Sequence, residues 1–181
     1  MLKTEDEVKA WLDKYKIKNY TINNDLTVDV EGNVDLASMH IKELPVQFGV
    51  VTGEFDISYN KNFKSLKGVP KEVHNFFCVE TSIETLEDGP EKVEKCYYVH
   101  SNKLKTLKGA PKKVITLQLS HNTELNSFLY APECNNNVST TKTKLILSAP
   151  SKYKELIKNV GYDQCQEIWP CIEKMISLGK Q

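Results

Sequence analysis

The 181-residue chain predicts a solenoid of short parallel strands joined by extended, non-helical return segments, with a helix at each end. Three observations predict it. Prolines 45, 70, 90, 111, 132 and 150 recur at spacings of 25, 20, 21, 21 and 18 residues. A short run with apolar residues at alternate positions follows most of these prolines, as in a strand with one buried face. A polar turn comes next, then two apolar residues three positions apart. One such unit cannot close a core alone, whereas stacked units bury their apolar residues against each other.

Taken in order, residues 1–24 form a helical N-terminal cap, residues 25–150 the solenoid of five to six repeats, and residues 151–181 a helical C-terminal cap. The first helix spans residues 4–15. Thr4 and Glu7 have capping-box spacing, and Val8, Trp11, Leu12 and Tyr15 share one face. The inward strand pairs are Val34 and Leu36, Phe55 and Ile57, Phe77 and Val79, Tyr97 and Val99, and Leu117 and Leu119, with Val138 ending the series weakly. Asn60, Asn102 and Asn122 mark the turns, with Ser82 in their place in the third repeat. Asparagine suits such turns because its amide satisfies loop backbone groups. Apolar residues then point back inside at Ile41, Phe63, Ile83, Leu104, Leu125 and Leu145, and again at Leu44, Leu66, Leu86, Leu107 and Phe128. Glycine and proline keep the return path extended. Toward the C-terminus, Ser151 and Gly161 bound one helix, and a second over residues 163–178 is interrupted at Pro170. Trp11 and Trp169 are expected to seal the two ends.

Charge follows the same period. Aligned columns read Lys64, Glu84, Lys105; Lys67, Glu87, Lys108; Lys71, Glu91, Lys112; and Glu72, Lys92, Lys113. Neighbouring strands lie about 5 Å apart, so three surface ladders alternate in sign. Each exposed pair contributes only about 0.2–1 kcal/mol.

The segments FKSLKGVPKEV (63–73), IETLEDGPEKV (83–93), LKTLKGAPKKV (104–114) and LNSFLYAPEC (125–134) resemble leucine-rich repeats of the short bacterial and bacteriophage type. The resemblance covers residues 26–150 and implies a leucine-rich-repeat-like solenoid. Residues 20–58 are similar to the start of leucine-rich-repeat-like proteins of tailed phages. The chain departs from the pattern at Asp88-Gly89 and at Asn135-Asn136-Asn137.

Several function classes lose support. Formal net charge is zero, and all 24 basic residues are lysine. Without excess positive charge or forked guanidinium donors, nucleic-acid binding is not expected. No apolar run approaches the roughly 20 residues that span a bilayer. The acidic start lacks the apolar stretch of a signal peptide, so a cytoplasmic location is expected. The five cysteines are odd in number and form no CxxC, which reads as reduced thiols. Phosphate-binding glycine loops, zinc spacings and nucleophile elbows are missing from the sequence, so no cofactor, metal or catalytic residue is assigned. One Cys–His pair merits weighing. Strict alternation places Cys78 and His100 on adjacent outward positions, about 7–8 Å apart, with Cys96 nearby. Nothing in the sequence orients the histidine or supplies an oxyanion hole.

The same alternation assigns Glu54, Phe76, Cys96 and Thr116, then Asp56, Cys78, Tyr98 and Gln118, then Ser58, Glu80, His100 and Ser120, to the outward, concave face. The expected partner-binding residues are Phe76 and Tyr98 as anchors, Glu54, Asp56 and Glu80 as an acidic margin, and Cys78, His100 and Gln118 beside them. The expected function is a non-catalytic protein-binding module. The phage resemblance implies that it acts in the host bacterial cytoplasm and blocks or redirects a host protein, such as a defence factor. A structural virion or assembly component is the alternative, and an enzyme or zinc protein using Cys78, Cys96 and His100 is a further one.

Overall fold

The computed structural model describes residues 1–125 and 130–140. The chain begins with α1 (Glu5–Lys14) and continues through β1 (Tyr20–Ile22), β2 (Thr27–Val30), β3 (Val34–Asp35), β4 (Gln47–Asp56), β5 (Glu72–Phe77), β6 (Lys92–Tyr98), β7 (Lys113–Gln118) and β8 (Glu133–Ser139). One sheet has the order β1-β2-β4-β5-β6-β7-β8, and β3 also pairs with β4. Among the described residues only β1 and β2 run antiparallel, and the later pairs are parallel. This is a parallel-strand solenoid of about five turns. Among the described residues, no helix is long and apolar enough to cross a membrane. The expected C-terminal helices, Trp169, Phe128 and Leu145 lie outside the described residues.

The N-terminal helix forms for the reasons its sequence gives. Glu7 N–H donates to the Thr4 hydroxyl, and the Glu7 carboxylate accepts from the Thr4 and Lys3 backbone N–H groups. Those backbone donors lower the Glu7 pKa. Val8 and Leu12 are buried in the core. Trp11 reaches the ring of Phe48 at 6.3 Å. From there an aromatic series runs through the solenoid: Phe48 to Phe55 at 5.2 Å, Phe55 stacked on Phe76 at 6.0 Å, and Phe76 to Tyr97 at 5.5 Å.

That series corrects the register expected for the third repeat. Phe76, not Phe77, pairs with Phe55 and Tyr97 across the strands. The inward columns are Phe55, Phe76, Tyr97, Leu117 and Val138, then Ile57, Cys78, Val99 and Leu119, all buried in one core. The physical cause is a register shift. Val73 pairs with Val93 and Asn75 with Cys96, so β6 holds one more residue between its paired positions than β5 does. A bulge breaks the two-residue period, and alternation counted from Val73 and Val93 then falls out of step by one.

The turn asparagines form a ladder. Asn60 donates to Leu36 and Ile57 carbonyls and accepts from Ile41 N–H. Asn122 donates to Val99 and Leu119 carbonyls and accepts from Leu104 N–H. In the third repeat this position belongs to Thr81 rather than Ser82. The Thr81 N–H and hydroxyl both donate to Asn102 Oδ1 at 2.8 Å, while the Ser82 hydroxyl donates outward to the Lys61 carbonyl.

The return segments share a second constraint. Two residues before Pro70, Pro90, Pro111 and Pro132, the residues Gly68, Asp88, Gly109 and Tyr130 all have positive φ. A Cβ at Gly68 would lie 2.6 Å from Leu44 Cβ, so neighbouring atoms demand glycine there as well as the backbone angle. Asp88 takes that conformation in the third repeat, and Gly89 follows it. A Cβ at Gly89 would lie 2.7 Å from the Leu86 carbonyl oxygen, so the close approach of the backbone leaves no room for a side chain there. The charge ladders close as the columns predict, with Lys105–Glu84 at 2.6 Å, Lys108–Glu87 at 2.7 Å, and Lys71–Glu91 and Lys92–Glu72 at 3.1 Å. All four pairs are exposed, so their contribution to stability is small.

Candidate binding face

The outward face of the sheet is built from residues that the strand pairing places side by side. One row runs across six strands in continuous register: Asp35, Asp56, Phe77, Tyr98, Gln118 and Ser139. It therefore reads as two carboxylates, two aromatics and two polar residues. Phe77 and Tyr98 pack edge to face, with centroids 5.2 Å apart and planes at 75°. Both are half-buried. Beside this row lie Glu54, Asn75, Cys96 and Thr116.

Backbone geometry fixes the two carboxylates of the row. Asp35 accepts from Ala37 N–H at 3.0 Å, and Asp56 from Ser58 N–H at 2.8 Å. Both are short local turns that aim a carboxylate beside the strand end. Glu54 accepts from the Asn75 amide at 3.3 Å. Among the described residues, no lysine closes an ion pair with Asp35, Glu54, Asp56 or Glu80. This contrasts with Glu72, Glu84, Glu87 and Glu91, each of which has a lysine partner. At the other margin, His100 bonds the Ser101 hydroxyl at 3.0 Å. Burial, then the nearby His121, lowers the His100 pKa, against the opposing effect of Glu80. The ring is therefore neutral near pH 7. Burial and then Cys96 raise the Tyr98 pKa.

Two of the expected site residues move off this face. Phe76 and Cys78 are buried in the core, and Phe77 and Asn75 occupy the outward places assigned to them. Glu54, Asp56, Glu80, Tyr98, His100 and Gln118 retain some exposure. Val79 is buried but outside the core cluster. The proposed meeting of Cys78 and His100 does not occur, since they lie on opposite faces of the sheet. The Cys78 thiol contacts the Thr81 hydroxyl at 3.4 Å, and burial pushes its pKa up from 9.0 to about 12. Such a thiol stays protonated near pH 7 and is neither a nucleophile nor a metal ligand. Among the described residues, no group of three or more His, Cys, Asp or Glu could hold a metal ion.

The buried thiol and phenol predict alkaline instability. Burial raises the pKa of Cys78 and also that of Tyr97, whose hydroxyl has no hydrogen-bond partner among the described residues. Both groups are neutral when protonated, so the folded state keeps its protons while the unfolded state releases them. Their contribution is complete below about pH 9 and is lost as pH rises toward the folded-state values. Above pH 10 the loss approaches about 1.4 kcal/mol per pH unit for each group. Urea unfolding from pH 8 to 11 measures this slope. Tyr97→Phe should flatten it, and an unchanged slope would contradict the burial of the phenol.

No protein-family model matches this chain, and no curated protein or solved structure matches it either.

Proposed function

We propose that the chain is a protein-interaction module of the leucine-rich-repeat type that docks a partner on the outward sheet face, with α1 covering the N-terminal end of the repeats. The observation that carries this reading is the in-register row in which a half-buried, outward-facing aromatic pair, Phe77 and Tyr98, adjoins carboxylates without lysine partners. Aromatic anchors beside a polar rim are the usual energetic centre of protein interfaces. The phage resemblance of the repeats makes a host bacterial protein the partner of choice, with steric blocking as the mechanism.

The test is affinity capture from bacterial lysate by the native chain and by a Phe77→Ala/Tyr98→Ala variant of unchanged circular dichroism. The expected result is a stoichiometric protein held by the native chain and lost from the variant. Retention of the same protein by both would move the site off this face. A virion component would instead copurify with particles.

A further inference from the structure

Resting on that reading, we infer that the face recognises a proline-rich, polyproline II segment of its partner, with a basic residue three positions from an apolar one. The spacing of the row carries the argument. Strands in a sheet lie about 4.8 Å apart, so the centre of the Asp35–Asp56 pair stands about 9.6 Å from the centre of the Phe77–Tyr98 pair. A bound segment must present a cation and an apolar group at that separation and on one side.

Three backbone forms can be compared. An added β-strand presents same-side residues every ~6.7 Å, out of step with the row. An α-helix advances about 5.4 Å per turn, so two turns overshoot the required distance by about 1.2 Å. Polyproline II brings every third residue to the same side, about 9.3 Å along its axis. It matches two strand spacings within about 0.3 Å. It also docks on aromatic surfaces with little ordering cost, because the free segment already holds this shape. Asp35 and Asp56 are held side by side by backbone donors, and among the described residues no lysine neutralises either. Glu54 adds a third carboxylate next to Asp56. A lysine or arginine of the partner fits there, and a proline or leucine fits against Phe77 and Tyr98.

Fluorescence anisotropy with synthetic ten-residue proline-rich peptides tests this. Each peptide carries one lysine and one leucine, separated by two, three or four positions. The three-position peptide should bind most tightly. Exchanging its lysine for glutamine should weaken binding about two- to fivefold, the range of an exposed ion pair. In the Asp35→Asn/Asp56→Asn protein that lysine preference should vanish, while leucine-dependent binding remains. Phe77→Ala should weaken all peptides by at least about fivefold. Equal affinity for all three spacings, or a lysine preference that survives the double asparagine change, would overturn the inference. If the lysate partner is still captured in a Phe77-dependent way, the interaction module stands and only its ligand class is wrong. If neither peptides nor lysate proteins bind through Phe77, the binding face itself is wrong.

Discussion

Phe76→Ala should destabilise the protein by about 3–5 kcal/mol, whereas Phe77→Ala, one residue away, should cost under about 1 kcal/mol. The two side chains face opposite sides of β5. Phe76 is fully buried between Phe55 and Tyr97. Its truncation removes transfer energy and leaves a cavity between two repeats that the rigid stack cannot close. Phe77 is half-exposed and its main ring contact is Tyr98, so its loss forfeits one edge-to-face pair and limited burial. Paired urea titrations of the two variants measure the difference. Equal costs, or a larger cost at Phe77, would place β5 in the other register.

Asn102→Ala should be nearly as damaging, at about 3–4 kcal/mol. The Asn102 amide is buried and makes four hydrogen bonds: it donates to the Cys78 and Val99 carbonyls and accepts twice from Thr81. Alanine strands the buried Cys78 carbonyl and the Thr81 N–H, and takes the acceptor from the Thr81 hydroxyl, while the Val99 carbonyl keeps its bond from Asn122; each unsatisfied buried group costs about 1–3 kcal/mol. Partial rearrangement and water entry keep the total below the simple sum. Asn102→Asp is informative beside it. The carboxylate retains both acceptor contacts with Thr81 but cannot donate to the two carbonyls, and it brings a charge into the turn. It should therefore be at least as destabilising as alanine at pH 7 and recover in part on acidification. Thermal unfolding at pH 7 and pH 4 reads both effects. Stabilities within about 0.5 kcal/mol of the native chain would show that the ladder contributes little.

Much of the fold was legible because its determinants are periodic. The prolines, the paired apolar residues such as Leu86 and Leu107, and the asparagines mark one turn each. The lysine and glutamate columns predicted four ion pairs that the structure closes. The capping box at Thr4 and Glu7 was equally plain. The outward face was harder, for a local reason. A strand's period is two, and an unpaired residue at a bulge inverts every side chain beyond it. The third repeat has two adjacent phenylalanines, Phe76 and Phe77, so hydrophobicity alone cannot choose which one faces the core. The choice is made by the inter-strand pairing of Phe76 with Phe55 and Tyr97. Thr81 hid its role similarly, because Ser82 is the better match to a small polar turn residue by type. The antiparallel pairing of β1 with β2 lies outside the repeat period and had no repeat signal to reveal it.

The native cysteines test this register most directly, without any substitution. Strict alternation puts Cys78 and Cys96 together on the outward face, whereas the strand pairing puts Cys96 outside and Cys78 in the core. Thiol alkylation of the folded protein at pH 7.5, resolved by peptide mass mapping, separates the two sites. Cys96 should label under native conditions. Cys78 should stay protected until the protein unfolds, because its thiol is both inaccessible and held protonated by burial. Labelling of Cys78 at a rate like that of Cys96 would contradict the register, and with it the assignment of Phe77 and Tyr98 as the centre of the binding face.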